Sequence, residues 1–135
     1  MSNAERNRSG VEESYKAFFQ GDLEGFLKNF DAESEFREAE SLPYGGSYFG
    51  KDEAKVMIQK MLDTWDNMAY DIDEITASEH YVITYGIFSA VGKKTGTSVK
   101  FPIAECWKFR DDGKVALLYP MYADTHTARI AAGAV

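Results

Sequence analysis

The hydrophobic period of this chain changes once, and that change limits the fold more than any other feature. Up to about residue 67 apolar residues recur every three or four positions; from Tyr70 onward they alternate. Val11, Tyr15, Phe18 and Phe19 form the first helical set, and Ser9 with Glu12 gives the Ser-x-x-Glu capping box that predicts its start. Gly21 stops that helix. Asp22 then caps a short second one, whose Leu23, Phe26, Leu27 and Phe30 share a stripe. A strand is expected over Ser34 to Glu40. The longest helix is predicted over about Lys51 to Asn67, with Ala54, Met57, Ile58, Met61, Leu62 and Trp65 facing inward. Strands follow near Tyr70–Ala77, Tyr81–Val91, Ser98–Phe109 and Val115–Asp124, joined by turns such as "VGKKTGT" and "RDDGK". Helices followed by a run of antiparallel strands is the α+β class.

A chain of 135 residues is expected to form one domain, here 11–130 between a flexible N-terminus (1–10) and a flexible tail (131–135). The net charge of -7 argues against nucleic acid and against anionic membranes as partners. Cys106 is the single cysteine, which fits a reducing, cytoplasmic setting. The polar start "MSNAERNRSG" lacks the apolar core of a secretory signal, and Ser2-Asn3-Ala4, which resembles a tag-cleavage remnant, carries no weight. The longest apolar run, "VALLYPMYA", is nine residues, about half of the roughly 20 that a membrane span needs.

One stretch invites a nucleotide reading. "GGSYFGKD" approaches the phosphate-loop pattern, but Asp52 stands where a Mg²⁺-binding Ser or Thr belongs, and with Glu53 it would repel a triphosphate. Gly45 and Gly46 are expected to supply a turn with positive φ. His80 and His126 show no ligand spacing, so no metal and no cofactor are expected, and Cys106 reads as a small core residue. Carboxylates on apolar faces say more. Glu105 interrupts the face of Val99, Phe101, Ile103, Trp107 and Phe109, with Pro102 as a potential bulge that would shift the phase. Glu38 shares a face with Phe36, and Asp124 shares one with Leu118 and Tyr122. A carboxyl in an apolar pocket has a raised pKa, and it can then serve as a base near neutral pH or stay protonated and donate. Tyr15 is a second potential donor.

"YKAFFQGDLEGFLKNF", "LPYGGSYFGKDEA", "FPIAECWKFRDDGKV" and the terminal "YADT" resemble the nuclear transport factor 2-like superfamily, in its SnoaL-like and ketosteroid isomerase-like branch, over about Val11 to Ile130. The resemblance implies a curved antiparallel sheet wrapped around N-terminal helices, a cone-shaped, cystatin-like roll with an apolar pocket. It also implies a homodimer through the outer sheet face. Carried over from the isomerases, Tyr15 is the oxyanion-stabilising tyrosine, Glu38 the proton shuttle and Glu105 the protonated acid; both acids are Glu where the isomerases have Asp. From the cyclases, Asp124 is the late acidic residue, while their histidine partner has no counterpart here.

The expectation is a cofactor-independent enzyme, isomerase- or cyclase-like or lyase- or hydrolase-like. It would act on a small hydrophobic carbonyl or polycyclic compound by isomerisation, cyclisation or hydration. Glu38 or Asp124 would take the proton, Tyr15 and Glu105 would hold the oxygen, and Phe36, Trp65, Phe101, Trp107 and Tyr122 would contact the ligand. The competing expectation is a non-catalytic ligand-binding or dimerising module.

Overall fold

The computed structural model describes residues 1–134. The order of elements is α1 (Asn3–Phe19), α2 (Leu23–Phe26), β1 (Glu35–Glu38), β2 (Gly46–Phe49), α3 (Gly50–Thr64), β3 (Trp65–Ala77), β4 (Tyr81–Gly92), β5 (Ser98–Phe109), β6 (Val115–Tyr122) and α4 (Thr125–Ala132). The strands make one six-stranded curved sheet in the order β2-β1-β6-β5-β4-β3. This is the expected α+β architecture. One pairing departs from the all-antiparallel expectation, because β1 runs parallel to β6. Register shifts between Asp66 and Ala69 and between Ile72 and Glu74 interrupt the β3–β4 ladder, and such bulges bend and twist a strand pair.

The inner face follows the period-2 pattern. Val82, Thr84, Phe88 and Ala90 of β4 are buried, as are Val99, Phe101, Ile103, Trp107 and Phe109 of β5. Pro102 introduces no shift: β4 and β5 pair without interruption from Tyr81↔Lys108 to Val91↔Ser98. Against this face lie α1 (Val11, Tyr15), α3 (Ala54, Met57, Ile58) and the α2 segment (Phe26, Leu27, Phe30), all buried.

Several boundaries differ from the sequence reading. Helix α1 starts at Asn3, not at Ser9: Ser2 is the N-cap, and its hydroxyl accepts from Glu5 N in a complete capping box. The added turns bury Asn7, which donates to Glu79 O at 2.9 Å, so residues 3–10 are helical and not a flexible start. Helix α3 stops at Thr64, and Trp65 opens β3. Strand β2 was not expected; it pairs with β1 from Glu35↔Phe49 to Glu38↔Gly46. Beyond β6 the chain forms α4, whose buried Ala131 and Ala132 belong to the core and not to a tail. The final residue of the expected tail, 135, lies outside the described residues.

The glycines of the former phosphate-loop candidate are structural. Gly46 (φ 113°) and Gly50 (φ 79°) open and close β2 in a region that residues with a Cβ rarely adopt. Gly45 instead lets the chain approach the Ala39 carbonyl, to which an added Cβ would come within 2.3 Å. Gly92, at the end of β4, packs still more closely under α4: a Cβ there would lie 1.9 Å from Ala131 O. Gly92→Ala is therefore expected to push α4 off the sheet and to destabilise the fold by about 2 kcal/mol or more. Urea unfolding checks this; a midpoint equal to the wild type would show that α4 is not docked as described.

Candidate active site

The site follows from one row of the sheet. Thr84 pairs directly with Glu105, and Glu105 with Pro120. Two residues earlier on β6, Leu118 pairs with Phe36 of β1, so Glu38 reaches the level of Pro120. The two glutamates thus face inward from strands two apart, with backbones about 10 Å from each other by strand spacing and the buried ring of Pro120 between them. They line an apolar cavity of about 620 Å³, open mouth included, with Phe26, Phe36, Ile58, Leu118 and Tyr122 among its walls. Half-exposed Phe19 stands on its open side. Among the described lining residues there is no Lys, Arg or His.

The two acids differ in their surroundings. Glu38 is 1% exposed, and neither of its oxygens has a hydrogen-bond partner. Burial first, and then the facing charge of Glu105, push its carboxyl well above the ordinary range; Tyr122 opposes this without reaching hydrogen-bond geometry. Glu105 is only part-buried as a residue, because its side chain lines the cavity. The Tyr15 hydroxyl donates to its Oε1 at 2.6 Å, and its Oε2 has no protein partner while remaining accessible. Burial raises its pKa to about 7, against the lowering effect of the Tyr15 bond.

Each acid stands beside a set of hydroxyls. Around Glu105, Trp107 Nε1 donates to Tyr15 Oη (3.0 Å), Tyr15 meets Thr84 Oγ1 (2.9 Å), Thr84 meets Tyr70 Oη (2.9 Å), and Tyr70 donates to Ile103 O (3.0 Å). Tyr15 also packs edge-on against Trp107, with ring centres 5.7 Å apart. On the Glu38 side, Trp65 Nε1 donates to Tyr44 Oη (2.9 Å) and Tyr44 bonds Tyr122 Oη (2.6 Å). Burial raises the phenol pKa of Tyr15, Tyr44, Tyr70 and Tyr122, so all four keep their protons near neutral pH.

The structure brings together Tyr15, Glu38, Glu105, Phe36 and Tyr122 of the residues expected at the site. It separates Asp124 from them. Asp124 does not end β6 facing inward; it is the N-cap of α4, accepting from Thr127 N at 2.9 Å, and those bonds hold its carboxyl below the ordinary range. Trp65, Phe101 and Trp107 are buried behind the cavity wall and are not among its lining residues. Cys106 is half-buried on the outer face, not in the core. His80 is exposed on the β3–β4 turn beside Asp111 (2.9 Å). Sequence reading missed Tyr70 and Thr84, whose partners lie 14 to 69 positions away.

The SnoaL-like domain model matches residues 11–118. The chain belongs to the SnoaL-like family. Solved structures agree with this SnoaL-like fold. An NTF2-like protein of unknown function from Burkholderia pseudomallei is 25% identical, with a TM-score of 0.85 over 97% of this chain and 98% of that one. TerC, co-crystallised with polyporic acid, is 21% identical, with a TM-score of 0.84 over 95% and 98%. A protein from Shewanella denitrificans, provisionally assigned as a SnoaL-like polyketide cyclase, is 14% identical, with a TM-score of 0.74 over 96% and 98%. No curated protein matches this SnoaL-like chain. No helix among the described residues is long and apolar enough to cross a membrane.

Raised carboxyl pKa values have a signed consequence for stability. Between the ordinary value of 4.5 and about 7, folded Glu105 holds a proton that the unfolded chain has released. Stability is therefore lost as pH rises through that window. From pH 5 to pH 8 Glu105 alone accounts for about 2–3 kcal/mol of that loss. Thermal unfolding of Glu105→Gln, which cannot ionise, is expected to be correspondingly flatter with pH. A variant curve parallel to the wild type would contradict the burial of this acid.

Proposed function

We propose that this protein binds a small, mainly apolar molecule carrying a carbonyl group and moves a proton next to that carbonyl, as in isomerisation, cyclisation or hydration. The observation that carries the reading is the pair of inward-facing carboxyls on one sheet row, in an apolar cavity without a lining cation. Their surroundings favour a division of labour opposite to that implied by the isomerases. Glu38 has no partner to stabilise a charge and remains a neutral acid. Glu105 has the Tyr15 hydroxyl on Oε1 and an accessible Oε2, and ionises near neutral pH. A base is most effective when its pKa lies near the working pH.

In this reading Glu105 Oε2 removes the proton from the carbon beside the carbonyl. The electron pair moves onto the carbonyl oxygen, which receives a hydrogen bond from protonated Glu38 once that side chain turns from its buried position into the cavity. Tyr122 supplies a second. The Trp65–Tyr44–Tyr122 set has three hydrogens (one indole, two phenolic) for two mutual pairs, so when Tyr44 donates to Tyr122, the Tyr122 hydrogen is free to turn to the ligand. Donors placed where negative charge develops contribute about 3–4 kcal/mol each in known oxyanion holes. Glu105 then returns the proton to a different carbon for an isomerisation. The provisional cyclase assignment of one similar structure, and the polyporic acid crystallised with another, favour an organic ligand of this general kind.

Hydrogen–deuterium exchange at the α-carbon of a cyclic ketone tests the division of labour. Glu105→Gln is expected to lower the exchange rate by about 10²–10⁴-fold, and the wild-type rate should rise with pH through about 7. Glu38→Gln, whose amide still donates, should lose less. The reverse pattern would restore the roles implied by the isomerases, and no exchange in any variant would leave a ligand-binding module.

We also propose a homodimer through the outer sheet face. Exposed Tyr81, Tyr85 and Met121 join half-buried Ile83, Ile87, Pro102, Ala104 and Tyr119 in one apolar area three strands wide, the kind of patch that marks an interaction surface. Sedimentation velocity should show a dimer for the wild type and a monomer for Tyr85→Lys; a wild-type monomer would sink this part.

A further inference from the structure

Around Glu105 the hydrogens can be counted. Five donor–acceptor pairs exist: Trp107–Tyr15, Tyr15–Glu105, Tyr15–Thr84, Thr84–Tyr70 and Tyr70–Ile103 O. The indole and the three hydroxyls bring four hydrogens, one fewer than the pairs they must fill. With Glu105 ionised, Tyr15 donates to Glu105, Thr84 to Tyr15 and Tyr70 to Thr84, and the Ile103 carbonyl loses its side-chain donor. With a proton on Oε1 the row reverses. Glu105 donates to Tyr15, Tyr15 to Thr84, Thr84 to Tyr70 and Tyr70 to Ile103 O, and every pair is filled.

We infer that Thr84 and Tyr70 are positioning residues that favour the protonated state of Glu105, because the hydroxyl row they extend is complete only when Glu105 supplies the fifth hydrogen. Neither is placed to touch the reacting atoms by this argument; both act through Tyr15. Thr84 is the pivot. It is fully buried and sits opposite Glu105 in the β4–β5 register. Other titratable groups at this end of the cavity come from each neighbouring element: Tyr15 from α1, Glu38 from β1, Tyr70 from β3 and Tyr122 from β6. The three phenols stay protonated, and burial together with the facing Glu105 pushes the Glu38 carboxyl well above its ordinary range. The row thus holds the base back from ionising too early. Its use in proton transfer rests on the function proposed above, whereas its effect on Glu105 does not.

The count predicts a sign that loss of polarity does not. In Thr84→Val the remaining pairs are Trp107–Tyr15, Tyr15–Glu105 and Tyr70–Ile103 O. Three hydrogens fill them with Glu105 ionised, and they still do with its proton on Oε2, so protonation no longer completes a pair that ionisation leaves open. Tyr70→Phe likewise leaves a row that the ionised form fills completely. Simple removal of a polar neighbour from a buried acid would do the opposite and raise its pKa. Carboxyl ¹³C NMR titration of the ligand-free protein, with the Glu105 signal assigned by its loss in Glu105→Gln, tests this directly. Thr84→Val and Tyr70→Phe are each expected to lower the Glu105 midpoint by about 0.5–1 pH unit, roughly a three- to tenfold change in its ionisation constant. Thr84→Ser, which keeps the hydroxyl, should restore the wild-type midpoint. A midpoint raised or unchanged in both Thr84→Val and Tyr70→Phe overturns the inference. That result would leave the ketone-exchange assay unaffected, and failure of exchange would leave the titration shifts in place.

Discussion

The rest of the structure depends on how α1 is joined to the sheet at Tyr15. An amphipathic helix buried against an apolar sheet face gains most of its stability from area and slides easily if nothing fixes its register. Tyr15 fixes it. Its ring packs edge-on against Trp107, and its hydroxyl is bonded to Trp107, Thr84 and Glu105 at once. Each of these partners is on the inner face, where an unpaired polar atom costs about 1–3 kcal/mol. A shift of α1 by one turn would strand all of them together, so the helix, the sheet and the acid are specified as a unit.

That joint also explains what could be read from the sequence. Period-2 alternation placed Glu105 on the apolar face because β5 is regular; Pro102 could have moved it, and the unbroken β4–β5 register shows that it does not. The stripe of α1 placed Tyr15 inward for the same reason. Thr84 carried no comparable signal. A threonine inside a strand is ordinary, and its meaning comes from the register partner it acquires 21 residues later. Tyr44 was no more legible, since it lies in a connection and is buried by contacts with Tyr122 and Trp65. Two errors had local causes. Ser2 and Glu5 form the same capping box that was assigned to Ser9 and Glu12, so the motif was right and its position was not. Asp124 continued the alternation of β6 on paper, but an Asp three residues before a Thr is equally a helix cap, and that is how the chain uses it.

Two carboxyls in one dry cavity would ordinarily compete for one state. Charge on either disfavours charge on the other, so two equivalent acids would share one charge with nothing to fix which of them bears it. This chain breaks the equivalence through the polar groups that each acid meets. Glu105 has a donor on one oxygen and access to the cavity on the other. Glu38 is buried more deeply and has no bonded donor, and Pro120, which fills the position between the two strands, carries no N–H to offer. The order of ionisation therefore follows from neighbours and not from residue type, since both are glutamates.

For the same reason a residue-by-residue transfer of roles within this fold is unsafe even where the positions coincide. The isomerase pattern assigns base and acid by place on the sheet, and both places here are occupied by acids of the right kind. What decides their roles is where the hydroxyl hydrogens go. At Glu105 the row of Tyr15, Thr84 and Tyr70 is one hydrogen short. At Tyr122 the set is one hydrogen in excess. A site that is short accepts a proton, and a site in excess can give a hydrogen bond to a ligand oxygen. The asymmetry is built into the ligand-free protein, so in the proposed reaction the direction of proton transfer is set without a rearrangement of the backbone.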